Sequence, residues 1–92
     1  MSSTALVLGV EAARVTLAEL ADYDEIVVLD PDPAELESLV SELADPRLDY
    51  MLGSLPVLPM PDGSVDVLVG ADAADPEVVR VLREGGRVIP AK

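Results

Sequence analysis

Three aliphatic runs set the frame for this chain: ALVLG at residues 5–9, EIVVLD at 25–30 and VDVLVG at 65–70. Each is too short for a core helix, is apolar at successive rather than alternate positions, and stops at glycine or aspartate. Such a strand needs cover on both faces, which points to a parallel sheet with helices packed on it. The segments between them carry a helical period. Residues 11–21 place Ala13, Leu17, Leu20 and Ala21 on one helical face. In DPDPAELESLVSELAD, Asp32 is a cap, Pro33 suits the first helical position and Glu35 has capping-box spacing. Leu36, Leu39, Val40 and Leu43 then form an apolar stripe.

LDYML at 48–52 reads as a third strand, and the proline-rich GSLPVLPMPDGS as an irregular connection. Asp75 and Pro76 open a short helix over 75–84 with Val78, Val79 and Leu82, which Gly85-Gly86 end. RVIPA at 87–91 is a last strand, with Pro90 marking an edge or a strand end. The order β-α-β-α-β-loop-β-α-β predicts an α/β fold: a three-layer, Rossmann-like, doubly wound parallel sheet of about five strands in order 3-2-1-4-5 with three helices. Right-handed crossovers put the first two helices on one face. A chain of 92 residues makes one domain, 1–92.

Composition narrows the partners. Eighteen acids against six lysines and arginines leave a net charge of −12. That argues against nucleic acid, whose binding draws on basic side chains, and against an anionic membrane surface. There is no signal peptide and no apolar run long enough to span a bilayer, so the expected location is cytoplasmic. With no cysteine and no histidine, disulfides, thiolate chemistry and the commonest general base and metal ligand are absent. The acidic, lysine-poor balance resembles proteins of salt-loving archaea, and an acid-rich protein of a high-GC bacterium has a similar composition. In either case a surface acid is the default here, so a single carboxylate is weak evidence of a site.

LGSLPVLPMPDGSVDVLVG at 52–70 resembles a stretch of small-molecule methyltransferases, G-D-A-x-x-L-P-F-P-D-G-S-F-D-V-V. Leu58-Pro59, Pro61-Asp62-Gly63-Ser64 and Asp66-Val67 match it directly, with Met60 and Val65 as apolar replacements. VVRVLREGGRVI resembles V-L-R-P-G-G-R-L, with Glu84 for proline, and IVVLDPDP resembles the end of the second strand, where an acid holds ribose hydroxyls. Taken together the chain resembles the class I S-adenosylmethionine-dependent methyltransferases over nearly its whole length. The resemblance implies S-adenosylmethionine as cofactor, and it places Gly9, Glu11, Asp30, Ser54, Leu55 and Gly70 around the cofactor position.

The departures lie at that position. The family's first motif resembles L-x-L-G-x-G-x-G, where the second glycine lets bare backbone approach the ligand. Here Gly9 and a tolerable Ala13 flank Glu11, which adds bulk and negative charge where the cofactor's carboxylate lies. Ser54 replaces the acid that contacts adenine, and the family's lid and last two strands have no counterpart. Plain alternatives stand beside each candidate: Asp30 as a solvated strand-end acid, Gly9 as a conformational glycine, Asp62-Gly63 as a turn, Asp72 and Asp75 as helix caps. No catalytic or metal-binding residue is assigned.

Two functions follow from the resemblance. One is a shortened, non-catalytic methyltransferase-like domain with no cofactor, acting through protein contacts. The other is an S-adenosylmethionine-binding methyltransferase, or one subunit of such an enzyme. The strands need cover on both faces, yet only the helix at 75–84 and the proline-rich loop are available for the second face. The expectation is therefore an under-covered patch there, buried by a homodimer or another protein partner.

Overall fold

The computed structural model describes residues 3–20, 22–42, 46–53 and 57–90. In chain order the elements are β1 (Thr4–Leu8), α1 (Val10–Thr16) continuing into a 3-10 turn (Leu17–Leu20), β2 (Glu25–Asp30), α2 (Pro33–Glu42), β3 (Leu48–Leu52), β4 (Val65–Val69), α3 (Pro76–Val81) and β5 (Leu82–Ile89). All neighbouring strands pair in parallel, in the order β3-β2-β1-β4-β5. The predicted topology is therefore the observed one. β1 pairs with both β2 and β4, so the strand order reverses around it.

Successive side chains of a strand face opposite ways, and here both sides are apolar. Ala5, Val7, Ile26, Val28, Val67 and Val69 form one core with Val10, Ala13 and Leu20 of the first helical segment and Leu36 and Leu39 of α2. Leu6, Val27, Leu29 and Leu68 face the other way, against Val78 and Val81 of α3 and Leu58 of the proline-rich connection. Val65 joins this second core, not the side shared by Val67 and Val69, because the pairing of β4 with β5 is irregular at that point.

Helix boundaries differ from the periodicity in instructive ways. The first helix stops at Thr16 and tightens into the 3-10 turn, and its buried residues are Val10, Ala13 and Thr16. The Thr16 hydroxyl donates to Ala12 O at 2.6 Å, which satisfies its only buried polar atom. The Leu17 side chain, Ala21 and Leu43, which the sequence placed on apolar stripes, lie outside the described residues. In α2 the stripe is narrower than expected: Leu39 is fully buried but Val40 is 46% exposed. Asp32 caps α2 by accepting from Ala34 N at 2.9 Å. Its own N–H goes to Asp30 Oδ1 at 2.9 Å, so the capping box expected from Glu35 is replaced by a strand-end acid.

The helix expected to reach residue 84 ends at Val81, since Leu82 is already extended and paired with Val65. Gly85-Gly86 do not terminate a helix. They lie in a bulge: β4 advances from Val65 to Val67 while β5 advances from Leu82 to Arg87. Gly85 has φ +82°, and a Cβ on Gly86 would lie 2.9 Å from Asp66 O. Asp66 anchors this end, accepting from Thr4 N at 2.6 Å and from Arg83 Nη1 at 2.6 Å. The Thr4 N–H, with Arg83 beside it, holds the Asp66 carboxyl below its usual range.

The proline-rich connection covers more than its sequence suggests. Leu58 is buried in the second core with Met60 packed against it. Arg80 clamps the segment: Nη2 donates to Leu58 O at 2.8 Å, and Nη1 to Met60 O at 2.9 Å and Asp62 Oδ1 at 2.7 Å. Glu77 completes the clamp, taking Arg80 Nε at 2.7 Å and Leu58 N at 2.8 Å. Gly63, at φ +63°, closes the Asp62-Gly63 turn and donates to Arg80 O at 2.9 Å. The expected bare patch on this face is thus occupied by α3 and the loop.

Two outcomes test this packing. Leu39→Ala is expected to cost about 2–5 kcal/mol because it leaves a hole in the first core, whereas Val40→Ala stays within about 0.5 kcal/mol; urea denaturation of both variants reads the difference. The second concerns acid. The Arg80 hydrogen bond, then the Leu58 N–H, lowers the Glu77 carboxyl from 4.5 to about 2. A depressed folded value means stability that is present above pH 4.5 and is lost as pH falls towards about 2. Glu77→Gln should therefore be less stable than wild type at neutral pH, and the gap should close across that window in a pH series of denaturation curves.

Candidate functional site

Open parallel sheets bind ligands beyond the carboxyl ends of the strands, where the strand order reverses. Here that point lies between the turns after β1 and β4. Gly9 follows β1 with φ +101°, a conformation that L residues rarely adopt, and donates to Leu29 O at 2.7 Å. A Cβ at Gly9 would meet nothing within 4 Å, so the turn is open to solvent. Gly70 follows β4 with φ +94°, and a Cβ there would lie 2.7 Å from Leu8 O. Gly9 is a conformational glycine, and Gly70 is required by close approach as well.

Asp30, at the end of β2, faces the β1 turn. Its Oδ2 accepts from Val10 N at 3.0 Å and its Oδ1 from Asp32 N at 2.9 Å. The carboxylate ties the first turn of α1 to the start of α2, and each oxygen keeps a further lone pair. Asp72 is used in the same way, accepting from Ala74 N at 2.8 Å, and Asp75 caps α3 through Glu77 N at 2.9 Å.

Glu11 lies in the first turn of α1. Its side chain is 86% exposed and pairs with Arg14 Nη1 at 2.8 Å. Arg14 continues to Glu42 of α2 at 3.1 Å, so one cation joins two helices. The hydrogen bond to Glu42, with Glu11 adding to it, raises the Arg14 pKa above its ordinary value. Glu11 lines the same cavity as Gly9, so the residue that the sequence placed at the turn stands beside it, with its charge paired to Arg14.

A cavity of about 490 Å³ opens beside α1, lined among others by Leu8, Gly9, Ala12, Val15, Val69 and Ile89. Glu11 and Gly70 also line it. Of the six residues assigned to the cofactor position, the fold therefore brings Gly9, Glu11 and Gly70 to one cavity; Asp30 does not line it, and Ser54 and Leu55 lie outside the described residues. Sequence reasoning missed Val15 and Ile89. The signal for Val15 was an apolar residue off the buried stripe, where it is 73% exposed. Among the described residues no group of three or more acids converges as a metal site, and no helix is long and apolar enough to cross a membrane.

The reversed strand order around β1, with a glycine turn after β1 and an acid ending β2, defines a Rossmann-like methyltransferase fold. Comparison with known proteins agrees in sequence and in structure, and the chain belongs to the methyltransferases. It is 35% identical over 89 residues to uncharacterized methyltransferases of Mycobacterium tuberculosis and Mycobacterium bovis. That match covers 88% of this chain and 36% of theirs, so the chain spans about a third of these relatives' length. A candidate methyltransferase in complex with the Haloferax volcanii Trm112 methyltransferase activator superposes with a TM-score of 0.76 at 27% identity, covering 92% of this chain and 42% of that one. A candidate S-adenosyl-L-methionine-dependent methyltransferase of Methanococcus maripaludis has the same fold, with a TM-score of 0.74 at 23% identity over 96% of this chain and 48% of its own. No protein-family model matches the chain.

The two glycine turns can be told apart by substitution. Gly9→Ala should cost about 1–3 kcal/mol, from backbone strain alone. Gly70→Ala should lower the thermal midpoint further, because strain is joined by contact with Leu8 O.

Proposed function

We propose that this chain is a methyltransferase-like module that does not catalyse methyl transfer by itself and acts through protein contacts. The observation that carries the reading is the use of the acids at the ligand end of the sheet. Asp30 accepts from Val10 N at the start of α1 and from Asp32 N of its own turn, Asp72 accepts from Ala74 N, and Glu11 is held by Arg14. These acids are engaged by the chain itself at the carboxyl ends of the strands, where a ligand would otherwise be held. The activator complex of the Haloferax volcanii neighbour supports a role in protein contact, with a partner chain or a second copy of this one. The net charge of −12 supports a salt-rich setting.

A second reading keeps the cofactor, and the open Gly9 turn favours it. The residues fit S-adenosylmethionine at two points: bare backbone at Gly9, and spare lone pairs on Asp30 for ribose hydroxyls. They oppose it at one, since the Glu11 charge lies beside the turn. In this reading Gly9, Glu11, Asp30, Ser54, Leu55 and Gly70 surround the ligand, and the module binds it as part of a larger methyltransferase.

Isothermal titration with S-adenosylmethionine and S-adenosylhomocysteine, in dilute buffer and in molar potassium chloride, decides between the two. The first reading expects no heat of binding at micromolar protein. Micromolar affinity in either salt overturns it. Under the second reading Glu11→Gly tightens binding, since a repulsive charge leaves the turn.

A further inference from the structure

The turn that closes the proline-rich connection is the chain's one Asp-Gly peptide, Asp62-Gly63. Such a peptide carries a reaction of its own. The glycine nitrogen attacks Cγ of the aspartate: a C–N bond forms, and the carboxyl C–O bond breaks. The oxygen leaves as water, with the amide proton and a second proton from the carboxyl group or solvent. Water then reopens the imide ring. Cleavage at the side-chain carbonyl restores aspartate. Cleavage at the main-chain carbonyl leaves the backbone running through Cβ and Cγ, as isoaspartate. No oxidant, reductant or enzyme is needed. Glycine favours the attack because no side chain crowds its nitrogen. Asp30, Asp32, Asp45 and Asp75 precede proline, which has no N–H to give up, and the other aspartates precede residues with a Cβ.

Burial does not protect Asp62-Gly63. The Asp62 side chain is 81% exposed, and a Cβ on Gly63 would meet nothing within 4 Å. Instead one residue engages both reacting groups. Arg80 Nη1 donates to Asp62 Oδ1 at 2.7 Å, and Gly63 N donates to Arg80 O at 2.9 Å. Arg80 is itself fixed by Glu77, which takes its Nε at 2.7 Å. We infer that Asp62-Gly63 is a latent isoaspartate-forming site and that Arg80 is its latch, holding electrophile and nucleophile apart for as long as α3 and the loop stay joined. Conversion undoes the latch. An extra backbone atom displaces Gly63 N from Arg80 O, and the branch bearing the carboxylate becomes shorter. The segment with Leu58 and Met60 then loses part of its anchor on α3. The inference concerns the chain's own chemistry, so it stands or falls separately from either reading of function.

The test follows isoaspartate at each aspartate by peptide mapping with electron-transfer fragmentation. Wild type is held for weeks at neutral pH in molar potassium chloride, and in guanidinium chloride. In denaturant, isoaspartate should accumulate first at Asp62. The native chain should convert there at least about tenfold more slowly, as expected where a charge-assisted hydrogen bond has to be given up first. In the native state Arg80→Leu should raise the rate about tenfold, and Arg80→Lys, which keeps a cation but not the fork of donors, by less. Circular dichroism before incubation gives the folded fraction of each variant, and rates are compared for folded chain. Converted wild type, separated by chromatography, should melt below the unconverted chain. Equal rates in native and unfolded wild type, a folded Arg80→Leu or Arg80→Lys that converts no faster than wild type, another aspartate leading in denaturant, or an unchanged melting temperature after conversion overturns the inference. The comparison of native with denatured wild type needs no variant, so it decides even where Arg80→Leu fails to fold.

Discussion

Both faces of β1, β2 and β4 have to be kept from water, and the rest of the molecule is arranged around that requirement. A central parallel strand such as LVL cannot turn one side to solvent, because Leu6 and Val7 face opposite ways and both are fully buried. Burial of aliphatic area is the main favourable term available, since the chain has two tyrosines and no other aromatic residue. Two helices supply one layer. The other layer is half helix and half loop, and the loop serves only because Arg80 and Glu77 satisfy its backbone groups at Leu58 and Met60. A buried connection with unpaired amides and carbonyls would cost more than its leucine returns.

The abundance of acids takes on a structural meaning once their partners are known. Asp30, Asp32, Asp66, Asp72, Asp75 and Glu77 each accept from at least one backbone N–H. These sit at strand ends, helix starts and loop crossings, where amides lack a partner in regular structure. The same chemistry makes a strand-end carboxylate useful to a bound nucleoside, which donates hydroxyls in place of amides. Asp30 therefore stands between two uses, and its hydrogen bond to Val10 N explains its position without any ligand.

Membership of the methyltransferase family and the activity of this chain are separate questions, because a fold is shared more widely than a reaction. Gly9 turns after β1 at φ +101°, and Glu11, beside it in the same cavity, pairs with Arg14. The acids around the turn are engaged by the chain itself, through backbone N–H groups and Arg14.

The strand order, the placement of the first two helices and the likeness to methyltransferases were legible because each depends on local pattern: apolar runs at successive positions, a helical stripe, a glycine or an acid at a strand end. Such features are encoded by residues a few positions apart. The bond from Val10 N to Asp30, the Arg80 clamp on Leu58 and Met60, and the bulge at Gly85-Gly86 join segments far apart in the chain, and local periodicity carries no record of them. Those contacts end α3 early, turn Val65 to the other core, dress the face that looked bare and leave the opposite side open beside Val15. The sequence by itself determined which residues would form the sheet and that both its faces would be apolar. Only the tertiary structure decided which part of those faces stays uncovered, because cover depends on how loops and helix ends pack across strands that meet only in three dimensions.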